Sequence, residues 1–223
     1  MGCCSSIRGA NSTTLEMSHP IKHLPICQPK NHYHILNDMF LAIQTEGFEP
    51  NPSFSYFSIQ GVLSYHSFCT DFGPMCLGAI YEFSLMVKDL SICRTERALA
   101  LSTPPSKEDV TNATFLIGAY IIMHSDTDPA GLTHCFAQLR DHLTAFRDVS
   151  PGEQMFHLHI EDCWAGLRRA KLLGWVDFGP DGFDMDEYCF FDSPLNADLH
   201  EVVPGKLIAM RGPREVGHFS HRE

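Results

Sequence analysis

Four groups of residues in this chain are of types that do chemistry. His134-Cys135 with Arg140 comes near the spelling His-Cys, five residues, Arg, in which a low-pKa thiolate attacks a phosphate wrapped by backbone N–H groups. Here only four residues intervene, none is Gly, and the stretch falls in an amphipathic pattern whose N–H groups a helix would already use. Cys135 is therefore read as a core residue. Asp71-Phe72-Gly73 and Asp177-Phe178-Gly179 spell a triplet whose Asp holds magnesium during phosphoryl transfer. That chemistry also needs a Gly-rich loop, a strand Lys and a His-Arg-Asp loop, and none is present; Pro follows both triplets, which makes them turns. His157 and His159, two apart in a helical pattern, point to opposite sides and cannot share an ion. His32 and His34 could share one if they lay on a strand, but no third ligand suggests itself. No catalytic residue, metal site or cofactor is expected, and no Gly-x-Ser-x-Gly elbow, phosphate-binding or dinucleotide glycine pattern occurs. The fourth group is acidic: Asp181, Asp184, Asp186 and Glu187. It reads either as a docking patch for a basic peptide or as a solvated helix face with favourable charges in its first turn.

The N-terminus carries different chemistry. Met1-Gly2-Cys3-Cys4-Ser5-Ser6 fits the myristoylation pattern at Gly2, and Cys3 and Cys4 offer palmitoylation sites. One acyl chain holds a membrane weakly and reversibly; a second makes the anchor stable. Residues 1–30 are a polar tether with Arg8, Lys22 and Lys30 against Glu16, a basic bias that suits an anionic leaflet. The longest apolar run, Phe115 to Met123, is nine residues, about half of the ~18 that a spanning helix needs. The expected location is the cytoplasm, on the cytosolic face of a membrane. Nine cysteines without a Cys-x-x-Cys pair or a secretory signal argue against a disulfide framework and for a reducing compartment. A formal charge of −11 makes nucleic acid a poor partner and a basic peptide a better one.

The elements that must position these residues alternate between strand and helix. Asp38–Gln44 and Phe54–Ile59 suit strands. Pro74 can sit in a first helical turn, with Leu77, Ile80, Tyr81, Leu85 and Met86 at helical spacing to about Leu90. Ala98–Leu101 is a buried strand, and Thr103-Pro104-Pro105 breaks the chain after it. Ser106 with Asp109 starts a helix lined by Val110, Ala113, Thr114, Ile117 and Ile121. Asp128 and Pro129 open another, with Leu132, Cys135, Phe136 and Leu139 on one face. Phe156, Ile160, Cys163, Trp164, Leu167 and Ala170 make the most regular amphipathic stretch, ending near Gly174. Asp184–Phe191 is a short acidic helix and Lys206–Met210 a last strand. This order predicts an α/β domain over residues 31–212, a central sheet flanked by helices, with a tail at 1–30 and a polar tail or linker at 213–223.

The same residues resemble a known family, the N-terminal, non-catalytic half of the cell-division-cycle-fourteen dual-specificity phosphatases. The matching stretches are Tyr56-Phe57-Ser58-Ile59, Asp71-Phe72-Gly73-Pro74 with Leu77 and Tyr81, Asn112-Ala113, and Phe115-Leu116-Ile117-Gly118-Ala119-Tyr120. Phe146-Arg147-Asp148 with Ser150, Asp162-Cys163, Gly166, Arg168, Gly174, Asp177-Phe178, Phe183-Asp184, Asp186-Glu187-Tyr188, Val203-Pro204-Gly205-Lys206 and Gly212-Pro213 follow in order. The resemblance implies a phosphatase-like α/β domain that has lost the catalytic cysteine and packs on a catalytic one. It also implies acidic residues at that junction which favour phosphoserine-proline substrates with basic residues downstream. The chain's own residues agree on the lost loop: Ser102-Thr103-Pro104-Pro105-Ser106-Lys107 has no Cys, Gly or Arg, and its prolines remove N–H donors.

Two functions follow as expectations. One is a non-catalytic, membrane-tethered module that binds a basic or phosphoserine-proline peptide, or a phosphatase catalytic domain. The alternative is a fragment of an active protein phosphatase whose catalytic half is not in this chain.

Overall fold

The computed structural model describes residues 29–93, 97–196 and 198–212. A four-stranded sheet lies at its centre: β1 (His32–Leu36), β2 (Met39–Ile43), β3 (Phe54–Phe57) and β4 (Ala98–Thr103), in spatial order β1-β2-β4-β3. β2 and β3 both run parallel to β4, and β1 turns back antiparallel on β2. Asn37 makes that turn at φ 51°, a conformation its short polar side chain tolerates. All of β2 is buried because the sheet is covered on both sides. Met39, Leu41 and Ile43 enter the main core, while Phe40 and Ala42 pack with Phe54 and Ala100 on the opposite face.

Two helices serve the main face, α1 (Leu77–Cys93) and α2 (Lys107–His124). Ser106 caps α2 by accepting from Asp109 N at 3.1 Å, as the sequence predicts. The predicted one-sided stripe is too narrow, however: α2 is buried almost all round, because it touches the sheet, α1 and α4 (Ile160–Leu172) at once. The face predicted for α1 also shifts. Ile80, Phe83 and Val87 are buried, while Leu85 is exposed and Tyr81 turns to an aromatic group from the C-terminal part. Pro74 precedes α1 instead of entering its first turn and follows a cis Gly73–Pro74 bond.

Asp128 caps α3 (Pro129–Cys135) by accepting from Gly131 N at 2.6 Å, and a 3₁₀ turn, Ala137–His142, carries Leu139 into the core. The long amphipathic helix starts later than predicted. Phe156 is 62% exposed and precedes a short hairpin strand, β6 (His157–Leu158), which pairs with β5 (Phe146–Arg147). His157 is thus a strand residue and His159 the cap of α4, so neither is helical. α5 (Met185–Asp192), a 3₁₀ turn at Pro194–Asn196 and a two-stranded hairpin, β7 (His200–Val203) with β8 (Leu207–Ala209), complete the chain's described elements. Cys189 is disulfide-bonded, which the cysteine spacing did not point to; Cys69, Cys93, Cys135 and Cys163 carry free thiols.

Candidate functional site

In α/β sheets ligands bind beyond the carboxyl ends of parallel strands. There, a cleft of about 380 Å³ opens between the segment after β3, the end of β4 and the first turns of α2. Ser64, Tyr65, Asp71, Thr103, Glu108 and Asp109 are among its walls, and no Lys, Arg or His is among the described residues that line it. Two prolines, Pro104 and Pro105, lie between β4 and the Ser106 cap, so this turn offers few free N–H groups. Ser106 Oγ also donates to Asp109 Oδ2 at 2.6 Å, so the positive end of α2 is met by the chain's own carboxylates. Such walls repel an oxyanion and favour donors or cations.

The far wall is held by Asp71, which is 2% exposed. Its carboxylate accepts from Tyr65 Oη at 2.7 Å, Cys69 N at 2.7 Å and Phe68 N at 3.0 Å. Burial pulls this carboxyl upward, and the bonds from Tyr65, Cys69 and Phe68 outweigh it, so the net shift is below the usual carboxylate range. Tyr65 is pushed up to about 12, first by burial and then by the bond to Asp71 and its charge. The first Asp-Phe-Gly triplet is thus a loop staple rather than a magnesium ligand. Asp177 in the second accepts from Gly179 N at 2.8 Å, the turn that the following Pro suggested.

Asp181, Asp184, Asp186 and Glu187 are all exposed around the start of α5. Asp184 is occupied as the helix cap, accepting from Glu187 N at 2.9 Å, so it is the least free of the four. The turn is held by Phe183, whose ring packs tilted against Tyr81 and Tyr188 and edge-on against Phe178. Beyond it, β7 and β8 pair only with each other among the described strands, and Val202, Leu207 and Ile208 are about half exposed at 49%, 55% and 56%. β7 also packs against α5, and the apolar side chains of the hairpin stay about half exposed.

Gly2, Cys3 and Cys4 lie outside the described residues. Among the described residues no helix is long and apolar enough to cross a membrane. Cys135 ends α3, half-buried against the core, in keeping with its reading as a packing residue. The sequence reading missed the cleft wall at Tyr65; its only local signal was a Tyr six residues before an Asp.

A family described as dual specificity protein phosphatase, N-terminal half, matches residues 34–170. The dual specificity protein phosphatase CDC14A of Homo sapiens is 34% identical over 161 residues, 71% of this chain and 27% of that protein. CDC14C of Homo sapiens is 28% identical over 173 residues, 74% of this chain and 38% of the relative. The tyrosine-protein phosphatase CDC14 of Candida albicans is 26% identical over 195 residues, covering 86% of this chain and 34% of its own length. The chain therefore spans about a third of the length of the curated relatives it matches.

Proposed function

Since this chain belongs to the dual specificity protein phosphatase family as its N-terminal half, we propose that it is a non-catalytic binding module tethered to a membrane by its N-terminal tail. The observation that carries this reading is the turn between β4 and α2, where the fold would hold a phosphate. Pro104, Pro105, Glu108 and Asp109 stand there instead of a thiolate, an Arg and a run of free N–H groups. The domain spans residues 31–212, with loss of the phosphate loop; 1–30 are the tether, acylated at Gly2 and at Cys3 and Cys4, and 213–223 a polar tail or linker. Asp181, Asp186 and Glu187, with Asp184 as their cap, face the basic residues of a phosphoserine-proline peptide. The location is the cytosolic face of a membrane; the Cys189 disulfide counts against it, because that compartment keeps thiols reduced.

Three measurements test this. The purified chain hydrolyses no aryl phosphate; hydrolysis that thiol alkylation abolishes would overturn the non-catalytic reading. A labelled phosphoserine-proline peptide with downstream lysines loses at least tenfold in affinity when Asp181, Asp186 and Glu187 become Lys while Asp184→Ser keeps the cap. Equal affinity would end the docking reading. Gly2→Ala releases the protein from membranes, and retention would end the acylation reading.

The exposed β7–β8 hairpin favours a second reading, in which the partner is a phosphatase catalytic domain packed on that surface. Co-migration of the two on a sizing column, abolished by Leu207→Glu with Ile208→Glu, supports it; separate elution rejects it.

A further inference from the structure

Three side chains that the docking function does not use converge at the far end of α5. Asp192 is the last residue of α5, while Asp198 and His200 come from the start of the hairpin. One ligand atom from each lies within 4.8 Å of the others. His200 Nε2 stands 3.4 Å from Asp192 Oδ1 and 3.0 Å from Asp198 Oδ1, so two carboxylates approach one imidazole nitrogen from separate segments.

The framework that brings them together is backbone. Asp198 N donates to Ser193 O at 3.1 Å and Leu199 N to Phe191 O at 2.8 Å, which binds the turn to the end of α5. Asp198 adopts φ 47°, and Asp is one of the few residues that enter this region readily. From there the chain enters β7, and Asp198 and His200, two apart, direct their side chains to the same small volume. All three residues are half-buried, which limits competition from bulk water without closing the site.

We propose that Asp192, Asp198 and His200 bind a divalent transition cation of the zinc class. An imidazole nitrogen with two carboxylate oxygens is a donor set that suits zinc, with water completing the shell. Magnesium and calcium take all-oxygen sets, so the imidazole selects against them. Two carboxylates with a neutral imidazole also balance the charge of the ion. Bound there, the cation ties α5 to the β7–β8 hairpin, whose strands have no third neighbour among the described strands. Its role is a structural clip.

The test is calorimetric titration of the chelator-stripped, full-length chain with zinc chloride, beside Asp192→Asn, Asp198→Asn and His200→Gln. Asn at 198 keeps the tolerance for positive φ, so that variant retains the turn. A one-to-one site of micromolar affinity or tighter is expected, weakened at least tenfold in each variant, with a rise in melting temperature on adding zinc that the variants lack. Cobalt in place of zinc should give visible bands without a thiolate charge-transfer band. Equal zinc affinity in the variants, or a thiolate band, would overturn the proposal, placing the ion on cysteines or leaving the three residues as an ion-paired cluster only. If a variant does not fold, cobalt broadening of the His200 ring signal in the unaltered chain decides; an unbroadened signal at saturating cobalt rejects the site.

Discussion

Gly118 sits in the middle of α2 where Trp164 of α4 crosses it, and replacing it by Ala tests that joint directly. A Cβ at this position would lie 2.3 Å from Trp164 Cε2 and Cζ2 and 2.5 Å from Nε1. These are ring atoms, so no flexible end can swing away. Trp164 is 1% exposed, its ring packs on Phe136 at 5.0 Å, and its Nε1 donates to Phe115 O at 3.2 Å. Moving the ring strains a filled core, at about 1–3 kcal/mol. It also withdraws a buried donor from its acceptor, at about 1–3 kcal/mol more. Against this, Ala is better than Gly in a helix by about 1 kcal/mol. The sum is a loss of about 3 kcal/mol, or a melting temperature lower by about 6–12 °C for a chain of this size. Urea unfolding followed by far-ultraviolet circular dichroism measures it. The decisive arm is the cycle with Trp164→Leu: once the indole is gone, Gly118→Ala should cost nothing and gain up to about 1 kcal/mol. A neutral or stabilising Gly118→Ala in the unaltered background, or additivity with Trp164→Leu, would refute the close approach of α2 and α4.

Asp71→Asn should cost about 2 kcal/mol at neutral pH, because an amide cannot accept from Tyr65, Cys69 and Phe68 together as the carboxylate does. The folded carboxyl lies below its ordinary value, so its contribution is present above about pH 4 and fades as pH falls through the folded value; the two proteins' stabilities should converge in acid, seen in melts across pH. Tyr65 should resist ionisation until about 12, and its share of stability is lost as pH rises from about 10 towards that value, read from tyrosinate absorbance in the wild type against Tyr65→Phe. Lys171 donates from Nζ to Ile122 O and Ser125 O, both at 2.8 Å, closing the C-terminal end of α2; Lys171→Met should cost about 1–2 kcal/mol in urea unfolding. Cys163, pushed up to about 11 by burial and then by the charge of Asp162, should be alkylated far more slowly at pH 8 than exposed Cys69 and Cys93, measured by peptide mass.

What could be seen in the sequence was what short-range chemistry decides. The Ser106 and Asp128 caps, the buried run of β4 and the acidic start of α5 each depend on neighbours within a few positions. What could not be seen depends on distant partners. β1 opens His32-Tyr33-His34, a polar spelling for a strand, yet His32 is 3% exposed because Tyr56 Oη bonds its Nε2 at 2.6 Å and Phe48 and Phe54 cover its ring. Nothing within reach of residue 32 along the chain announces those rings. α1 carries two apolar rows, and only the docked C-terminal aromatics decide that Tyr81 serves them while Phe83 serves the sheet. Asp192, Asp198 and His200 needed a positive-φ turn to meet.

The stretches that carry the family resemblance do structural work around the cleft. Gly73, Asn112 and Phe146 come from three of them and meet at one joint. Asn112 Nδ2 donates to Phe72 O at 2.6 Å, and a Cβ on Gly73 would lie 2.6 Å from both Asn112 Oδ1 and Phe146 Cε1. Asn112 stands on α2, Phe146 on β5 and Gly73 on the segment leading to α1, so one contact joins three elements, of which α2 and that segment line the cleft. Residues that serve such packing say that a chain shares the fold; they say nothing of a nucleophile. The proposed non-catalytic role rests instead on the turn after β4, where a thiolate at a helix N-terminus would need free N–H donors and positive charge, and where Pro105 and Asp109 supply neither. A chain can therefore match a phosphatase family along most of its domain while the walls of this cleft carry Asp71, Glu108 and Asp109 and, among the described residues that line it, no Lys, Arg or His.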